Sequence, residues 1–315
     1  ELVPHIVKSH IMSTIILLLL LCAIAPVVAE NAATDITNQA DATKYLIQFG
    51  YLPSISRSSS NILAEAIVDY REAIKTFQRY AYLSQSGEID SATIAMMNKP
   101  RCGLPDRASQ SQRQKRYATQ GSWPRRRITY KIWNYTPDLP RSQINRDFAN
   151  AFKVWADVTN LSFQQVYTNN ANLNIKFVSF DHGDGFPFDG RGKVLAHAAL
   201  PQNGLIHFDE SEKWTANSKK GINLYWVAVH EFGHSLGMQH STVRDAVMYA
   251  YYGGYQPNLQ LHTDDIQGIQ SIYGHSSRTT NGTSTWGRWG TCSKTCGGGV
   301  QRRSRSISGV TTSQT

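Results

Sequence analysis

The stretch His230-Glu231-Phe232-Gly233-His234-Ser235-Leu236-Gly237-Met238-Gln239-His240 constrains this chain more than any other. Two histidines four residues apart leave the same face of an α-helix, so both imidazoles can hold one metal ion. Gly237 can take a positive φ, ending the helix and turning the chain so that His240 arrives as a third ligand. Three neutral nitrogens suit tetrahedral Zn²⁺ and leave its fourth position open for a water that the metal acidifies. Glu231 stands beside them, placed to take the proton of that water during attack on a carbonyl. A helical His-x-x-x-His pair alone is common among ordinary core and surface histidines. The Glu, the Gly and the third His at this spacing set the stretch apart.

The surrounding pattern divides 315 residues into about two domains with smaller modules. Within 41–98 the reading is helical. Leu63, Ile67, Tyr70, Ile74 and Phe77 recur on one helix face, and Ser91 is positioned to cap a short helix carrying Ile94 and Met97. From Arg127 the period changes. Ile128, Tyr130 and Ile132 alternate as a strand, Ile144, Phe148, Phe152 and Trp155 follow at helical spacing, and Leu173, Ile175 and Phe177 alternate again. A strand–helix–strand unit of this kind predicts a parallel pair in an α/β or α+β domain. Between the two regions, Ala108 to Tyr117 has no aliphatic period and ends in Arg113-Gln114-Lys115-Arg116. Such a run is either a solvated basic face or, lying between two domains, a cleavage site for a basic-specific secretory convertase, with Arg116 and Tyr117 flanking the cut.

Ile15 to Ile24 is one apolar run, too short for a bilayer, which needs about 20 residues, and suited to the core of a signal peptide. Residues 12–29 are read as that signal, with small residues before Glu30; the other reading is a buried core helix. No second run of this kind follows, so the expectation is a secreted protein without a transmembrane segment. The sequons at Asn134, Asn160 and Asn281 agree with a secretory route. The net charge of +9 first suggests nucleic acid, an anionic membrane or an acidic matrix. Residues 275–315 hold six basic groups and no acidic one, and the remainder is close to neutral. A basic groove running through the central domain, for nucleic acid or another polyanion, is therefore not expected.

The His230–His240 stretch, with Met248 eight residues later, resembles the metzincin zinc peptidases. Within them it is most similar to the matrix metalloproteinases: Ser241 follows the third His, Ala246-Val247-Met248-Tyr249 looks like their Met-turn, and His262 to Gln270 is similar to their last catalytic helix. The resemblance spans roughly Ala42 to Gly274. It implies an α+β fold, with a twisted, mostly parallel sheet and packed helices at 117–274, preceded by a small helical prodomain at 30–116. Pro100-Arg101-Cys102-Gly103-Leu104-Pro105-Asp106 resembles the family's cysteine switch. The Cys102 sulfur would then fill the fourth zinc position in a latent zymogen, with Arg101 and Asp106 pairing to hold the loop. Activation at Arg116 would leave a Tyr117 ammonium to pair with Asp264 or Asp265.

His182, Asp184, His197 and His207 resemble the family's structural zinc set, a closed four-ligand site and a second zinc. Asp189, Asp209 and Glu212, with the carbonyls of Gly190, Gly192 and Val194, resemble its calcium loop and imply at least one Ca²⁺. Read without the resemblance, these are polar loop residues. Three departures stand out. Gly192 occupies a usual Asp position, Asn172-Leu173-Asn174 lacks a usual acidic residue, and Ala250 replaces a usual Pro before Tyr252.

Trp286 to Arg305 resembles the start of a thrombospondin type 1 repeat, in which Arg303 and Arg305 would stack on Trp286 and Trp289. Only Cys292 and Cys296 of six expected cysteines are present, so the repeat is read as incomplete; the other reading is a disordered basic tail. The implied function is a secreted zinc endopeptidase acting on extracellular-matrix or cell-surface proteins, collagen among them, with sulfated polysaccharide as a partner of the tail. Two alternatives stay open: another metzincin branch carrying thrombospondin-type repeats, and a non-catalytic matrix-binding protein.

Overall fold

The computed structural model describes residues 35–53, 62–106, 119, 121–276, 303–307 and 310–314. The signal segment, the basic linker with Arg116 and Tyr117, Asn281, Trp286, Trp289, Cys292 and Cys296 lie outside the described residues.

Three helices form the N-terminal unit: α1 (Gln39–Gln48), α2 (Ile62–Tyr80) and α3 (Ser91–Met97). Asn38 caps α1 by accepting from the Asp41 N–H. The cap of α3 is Asp90, which accepts from Thr93, and not Ser91, which is the first helical residue. Asp90 supplies a carboxylate at a helix N-terminus, where the dipole favours negative charge. Tyr45, Leu46, Phe49, Ile74, Phe77 and Met97 form the unit's core. That core does not close on itself, because Phe188, Val194, Tyr249, Ala250 and Tyr251 belong to the same cluster. Buried aromatic surface is worth roughly 2 kcal/mol per side chain, so the N-terminal unit is held on the larger one by the hydrophobic effect as well as by polar contacts.

The larger unit is built on a sheet in the order β1-β5-β6-β4-β2-β3. Its strands are β1 (Arg101–Cys102), β2 (Arg127–Ile132), β3 (Ser162–Gln165), β4 (Leu173–Val178), β5 (Val194–Ala198) and β6 (Leu205–Asp209). All pairings are parallel except β5 with β6. The expected strand–helix–strand unit is present, with β2 and β4 paired in parallel and α4 (Arg141–Val158) between them in the chain; β3, which the sequence pattern did not mark, pairs in parallel with the other edge of β2. Helix α5 (Leu224–Ser235) lies against α4, and Phe152 and Phe232 stack at 3.8 Å between centroids. Ile144, Phe148, Phe152 and Trp155 are all buried, as their spacing predicts. Helix α6 (Thr263–Tyr273) closes the domain, and its cap is His262 in a capping box with Asp265.

A short parallel pair, β7 (Trp214–Thr215) and β8 (Ile222–Asn223), leads into α5. The C-terminal strands β9 (Arg303–Ile307) and β10 (Val310–Gln314) form an antiparallel hairpin, so this part of the tail is ordered as a ladder. No described helix is long and apolar enough to cross a membrane.

Candidate active site and metal centres

Helix α5 carries His230 and His234 one turn apart, and Gly237 at φ 102° turns the chain back toward them. All three histidines are buried. Their tautomers follow from their outer partners. His230 Nδ1 lies 2.7 Å from the Val247 carbonyl and His234 Nδ1 2.8 Å from the Met238 carbonyl. A carbonyl only accepts, so each Nδ1 carries the proton and each Nε2 presents a lone pair. Those two Nε2 atoms face each other at 3.0 Å, and Cys102 Sγ sits 3.5 Å from His234 Nε2. Converging lone pairs repel unless a cation lies among them.

The ligand atoms of Cys102, His230, His234 and His240 all lie within 4.8 Å of one another. Burial holds His230 down to about 3 and lowers His234 and His240, so the rings are neutral and ready to ligate. The donor set, nitrogen with one sulfur, fits Zn²⁺.

Glu231 is fully buried beside this group, and neither carboxylate oxygen has a hydrogen-bond partner. Burial pushes it up to about 8, and burial together with the Glu231 charge pushes the Cys102 thiol up well above its ordinary value. Two buried acids held side by side lose their charge readily, and a divalent cation between them reverses that preference.

Met248, fully buried, forms the floor. A Cβ at Gly233 would meet its sulfur at 2.3 Å and Trp155 at 2.8 Å, so only glycine lets α5 sit on the turn. Asp265 accepts from the Val247, Met248 and His262 N–H groups, fixing the turn whose Val247 carbonyl orients His230. Gly233 and Asp265 as positioning residues were not read from the motif; a carboxylate in a capping position was the available signal. Asp265 is thereby fully engaged. Asp264, half-buried with Ser241 donating to it at 2.7 Å, is the acid with capacity left for an incoming ammonium.

The segment 100–103 lies across this site as an added strand. Arg101 N–H donates to Lys193 O and Gly103 N–H to Ala196 O on one side. On the other, Cys102 N–H donates to Ala250 O and Tyr252 N–H to Pro100 O. Arg101 is buried, with its guanidinium 3.5 Å from the Phe49 ring centroid. It pairs with Asp106, as the sequence leads one to expect. Burial opposes ionisation of Asp106, but the Arg101 charge outweighs it and, with His240, brings the carboxyl to about 2.

A second grip lies farther along. Tyr82 Oη donates to the Thr242 carbonyl at 2.6 Å, and Tyr249 Oη donates to the Tyr80 carbonyl at 3.1 Å. The Ala250 N–H donates to Tyr80 Oη at 3.2 Å, a bond that a proline at 250 has no hydrogen to make. Tyr82 holds φ 58°, a left-handed conformation costly for a bulky residue.

His182, Asp184, His197 and His207 also gather within 4.8 Å. Asp184 Oδ2 lies 3.0 Å from His182 Nε2, 2.8 Å from His197 Nε2 and 3.0 Å from His207 Nδ1. His182 Nδ1 donates to the Phe180 carbonyl, so its Nε2 lone pair points at a carboxylate oxygen, again a contact that a cation resolves. Burial, together with the charges of His197 and His182, takes His207 down to about 4.

Asp189, Asp209 and Glu212 are not gathered as tightly; among the described residues only the two histidine clusters reach ligand spacing. Burial, with Asp209 and Asp189 nearby, lifts Glu212 to about 7, and Asp209 stands at about 6. The Gly192 N–H donates to Glu212, and the Val194 N–H to Asp189. Gly190 and Gly192 both have positive φ in this loop. Of the sequons, the Asn134 side chain is engaged in both directions with the Phe177 backbone, and Asn160 Nδ2 donates to His275 O.

A helix presenting two histidines and a glutamate over a methionine floor, backed by a mostly parallel sheet, defines a zinc metallopeptidase domain. Comparison with known proteins gives its family. Residues 122–274 match the matrixin family, 40–97 a peptidoglycan-binding-domain family, and 284–314 the thrombospondin type 1 domain. The chain is 43% identical over 265 residues to the hatching enzyme of Paracentrotus lividus, covering 83% of this chain and 43% of that protein. It is 39% identical over 282 residues to matrix metalloproteinase-18 of Xenopus laevis, covering 86% and 58%. To matrix metalloproteinase-19 of Mus musculus it is 38% identical over 265 residues, covering 82% and 49%. The chain spans about half the length of these curated relatives. It belongs to the matrix metalloproteinase family and carries a thrombospondin type 1 region at its C-terminal side.

Proposed function

We propose that this chain is a secreted zinc endopeptidase made as a latent zymogen and cutting extracellular-matrix or cell-surface proteins. The observation that carries the reading is the convergence of Cys102, His230, His234 and His240 around one point beside an unpartnered Glu231. Zinc held by the three histidines supplies Lewis acidity to the scissile carbonyl and to a water. Glu231 takes the proton from the attacking water and passes it to the leaving amine. Its high pKa in the closed form reflects burial, and it falls once the segment 100–103 departs and water enters.

Latency in this reading comes from the Cys102 sulfur in the fourth zinc position and from the strand 100–103 filling the cleft. Convertase cleavage after Arg116 releases both, and the Tyr117 ammonium then pairs with Asp264. His182, Asp184, His197 and His207 hold a second, structural zinc. Asp189, Asp209 and Glu212, with the carbonyls of Gly190, Gly192 and Val194, hold calcium. The thrombospondin type 1 region binds matrix. The hatching enzyme and the matrix metalloproteinases among the relatives support this substrate class.

The test is cleavage of a quenched peptide library by the processed chain, with and without a zinc chelator, beside Glu231→Ala. Chelator-sensitive cleavage that Glu231→Ala abolishes is expected. Absence of cleavage by the processed wild type would overturn the enzymatic reading in favour of a matrix-binding role.

A further inference from the structure

The near-neutral charge of the larger unit conceals a strongly one-sided surface. Along β2 and the residue that follows it, Arg127, Thr129, Lys131 and Trp133 alternate with buried Ile128, Tyr130 and Ile132, so they share the outer face of the sheet. The register sets Gln164 of β3 beside Thr129, and Asn174 of β4 beside Lys131. Lys176, two residues farther along β4, shares that face. No acidic residue occurs in 119–137 or 158–180, the segments that supply these three strands.

Ion pairs do not neutralise the cations. Among the described residues, Arg125, Arg127, Lys131 and Lys176 have no carboxylate within ion-pair distance, and their side-chain partners are neutral. Arg127 donates to the Gln164 side chain and Lys131 to Asn169 Oδ1 at 2.7 Å. Two ammonium groups lie over Trp133, with Lys131 Nζ 3.6 Å and Lys176 Nζ 5.5 Å from its ring centroid. It is 44% exposed, and its Nε1 donates to Asn174 Oδ1. Like charges gathered over one ring, with no carboxylate paired to either among the described residues, repel one another until an anion binds.

We propose that the outer face of β2, β3 and β4 is a docking surface for an extended sulfated polysaccharide, separate from the C-terminal tail. Arg127 and Lys131 lie roughly 13 Å apart along the strand, a spacing that engages successive anionic groups on one chain. Three side-chain amides beside them supply hydrogen bonds for sugar hydroxyls, and the exposed Trp133 ring supplies a stacking surface. This match of fixed cations, amides and one aromatic ring favours a sulfated sugar over a lipid bilayer or a nucleic acid.

The experiment uses the full chain with Glu231→Ala to prevent self-digestion. Binding to heparin is measured across a salt series for this protein, for added Arg127→Gln/Lys131→Gln/Lys176→Gln, and for added Arg302→Gln/Arg303→Gln/Arg305→Gln in the tail. The sheet-face triple variant is expected to weaken binding by about tenfold or more and to reduce the log–log salt slope by about 2–3. The tail variant is expected to retain sheet-face binding. Lys131→Arg/Lys176→Arg is expected to bind as the parent does, which separates charge from folding, and thermal unfolding of each variant is followed alongside. An unchanged affinity and slope in the sheet-face triple variant would overturn the proposal. So would equal, sheet-face-dependent binding to desulfated heparin, to anionic phosphatidylserine vesicles or to a DNA duplex.

Discussion

The two histidine clusters use nearly the same donors and are built in opposite ways. His182, Asp184, His197 and His207 come from 26 consecutive residues of one loop and two adjacent strands. His230, His234 and His240 come from one helix and its turn, but their fourth partner, Cys102, is 132 residues away from His234. A site whose four donors are local stays closed for as long as its loop is folded. A site whose fourth donor arrives on a segment remote in the chain opens when that segment leaves. In the proposed reading, with zinc at both, the structural and the catalytic site share three histidines and differ chiefly in which fourth donor they use and where it is anchored.

Substitutions can break this contrast, and the largest effect falls at the openable site. Glu231→Gln in the processed chain should lower peptide hydrolysis by about 10³-fold or more, with zinc content unchanged by metal analysis. A loss of zinc instead would make Glu231 a structural residue. At the closed site, His197→Ala should remove one zinc per chain and destabilise the protein on the order of 3 kcal/mol, read by metal analysis and denaturant unfolding. If the zinc content falls but stability is unaltered, the cluster is not structural.

Cys102→Ser should give the uncleaved chain peptidase activity about tenfold or more above the wild-type zymogen, because a hydroxyl is a poorer zinc ligand than a thiolate. A serine variant fully silent until processed would place latency in the strand 100–103 alone. Tyr82→Gly sharpens the same point. It relieves a left-handed tyrosine while removing its bond to Thr242, so it should not lower the unfolding midpoint, yet should speed activation severalfold. An activation rate equal to wild type would mean that the tyrosine contact does not hold the prodomain.

Asp147 provides the smallest effect and a control outside both clusters. It is buried on α4, and burial raises its pKa. A carboxyl whose folded pKa is raised favours folding while protonated, and that contribution is lost as pH rises through the folded value. Asp147→Asn should therefore raise the unfolding midpoint at neutral pH, and the gain should shrink as pH falls below the ordinary carboxylate range. A gain independent of pH would mean that the charge of Asp147 is not what costs stability.

Much of this was legible along the chain because the signals are local. The i, i+4 spacing of His230 and His234, the turn at Gly237, and the alternation of Ile128, Tyr130 and Ile132 each depend on one element's geometry. The cap of α3 was misplaced by one residue because Asp90 and Ser91 are both good caps, and only the backbone conformation at 90 distinguishes them. The tail was open between a partial repeat and a disordered segment, and the β9–β10 ladder with the thrombospondin type 1 match favours the repeat. Summed charge assigned the basic excess to that tail and missed the sheet face, because a sum over residues does not record which side of a strand they leave.

By itself, the sequence determined the ligand types, their order and the elements that carry most of them, since these follow from periods of 3.6 and 2 within single segments. Only the tertiary structure decided which groups meet. It brought Cys102 to His234, turned the Val247 carbonyl toward His230, set Met248 against Gly233, and gathered Lys131 and Lys176 over Trp133. Those contacts join residues remote in the chain, and their geometry is fixed by the packing of whole elements, which no local pattern encodes.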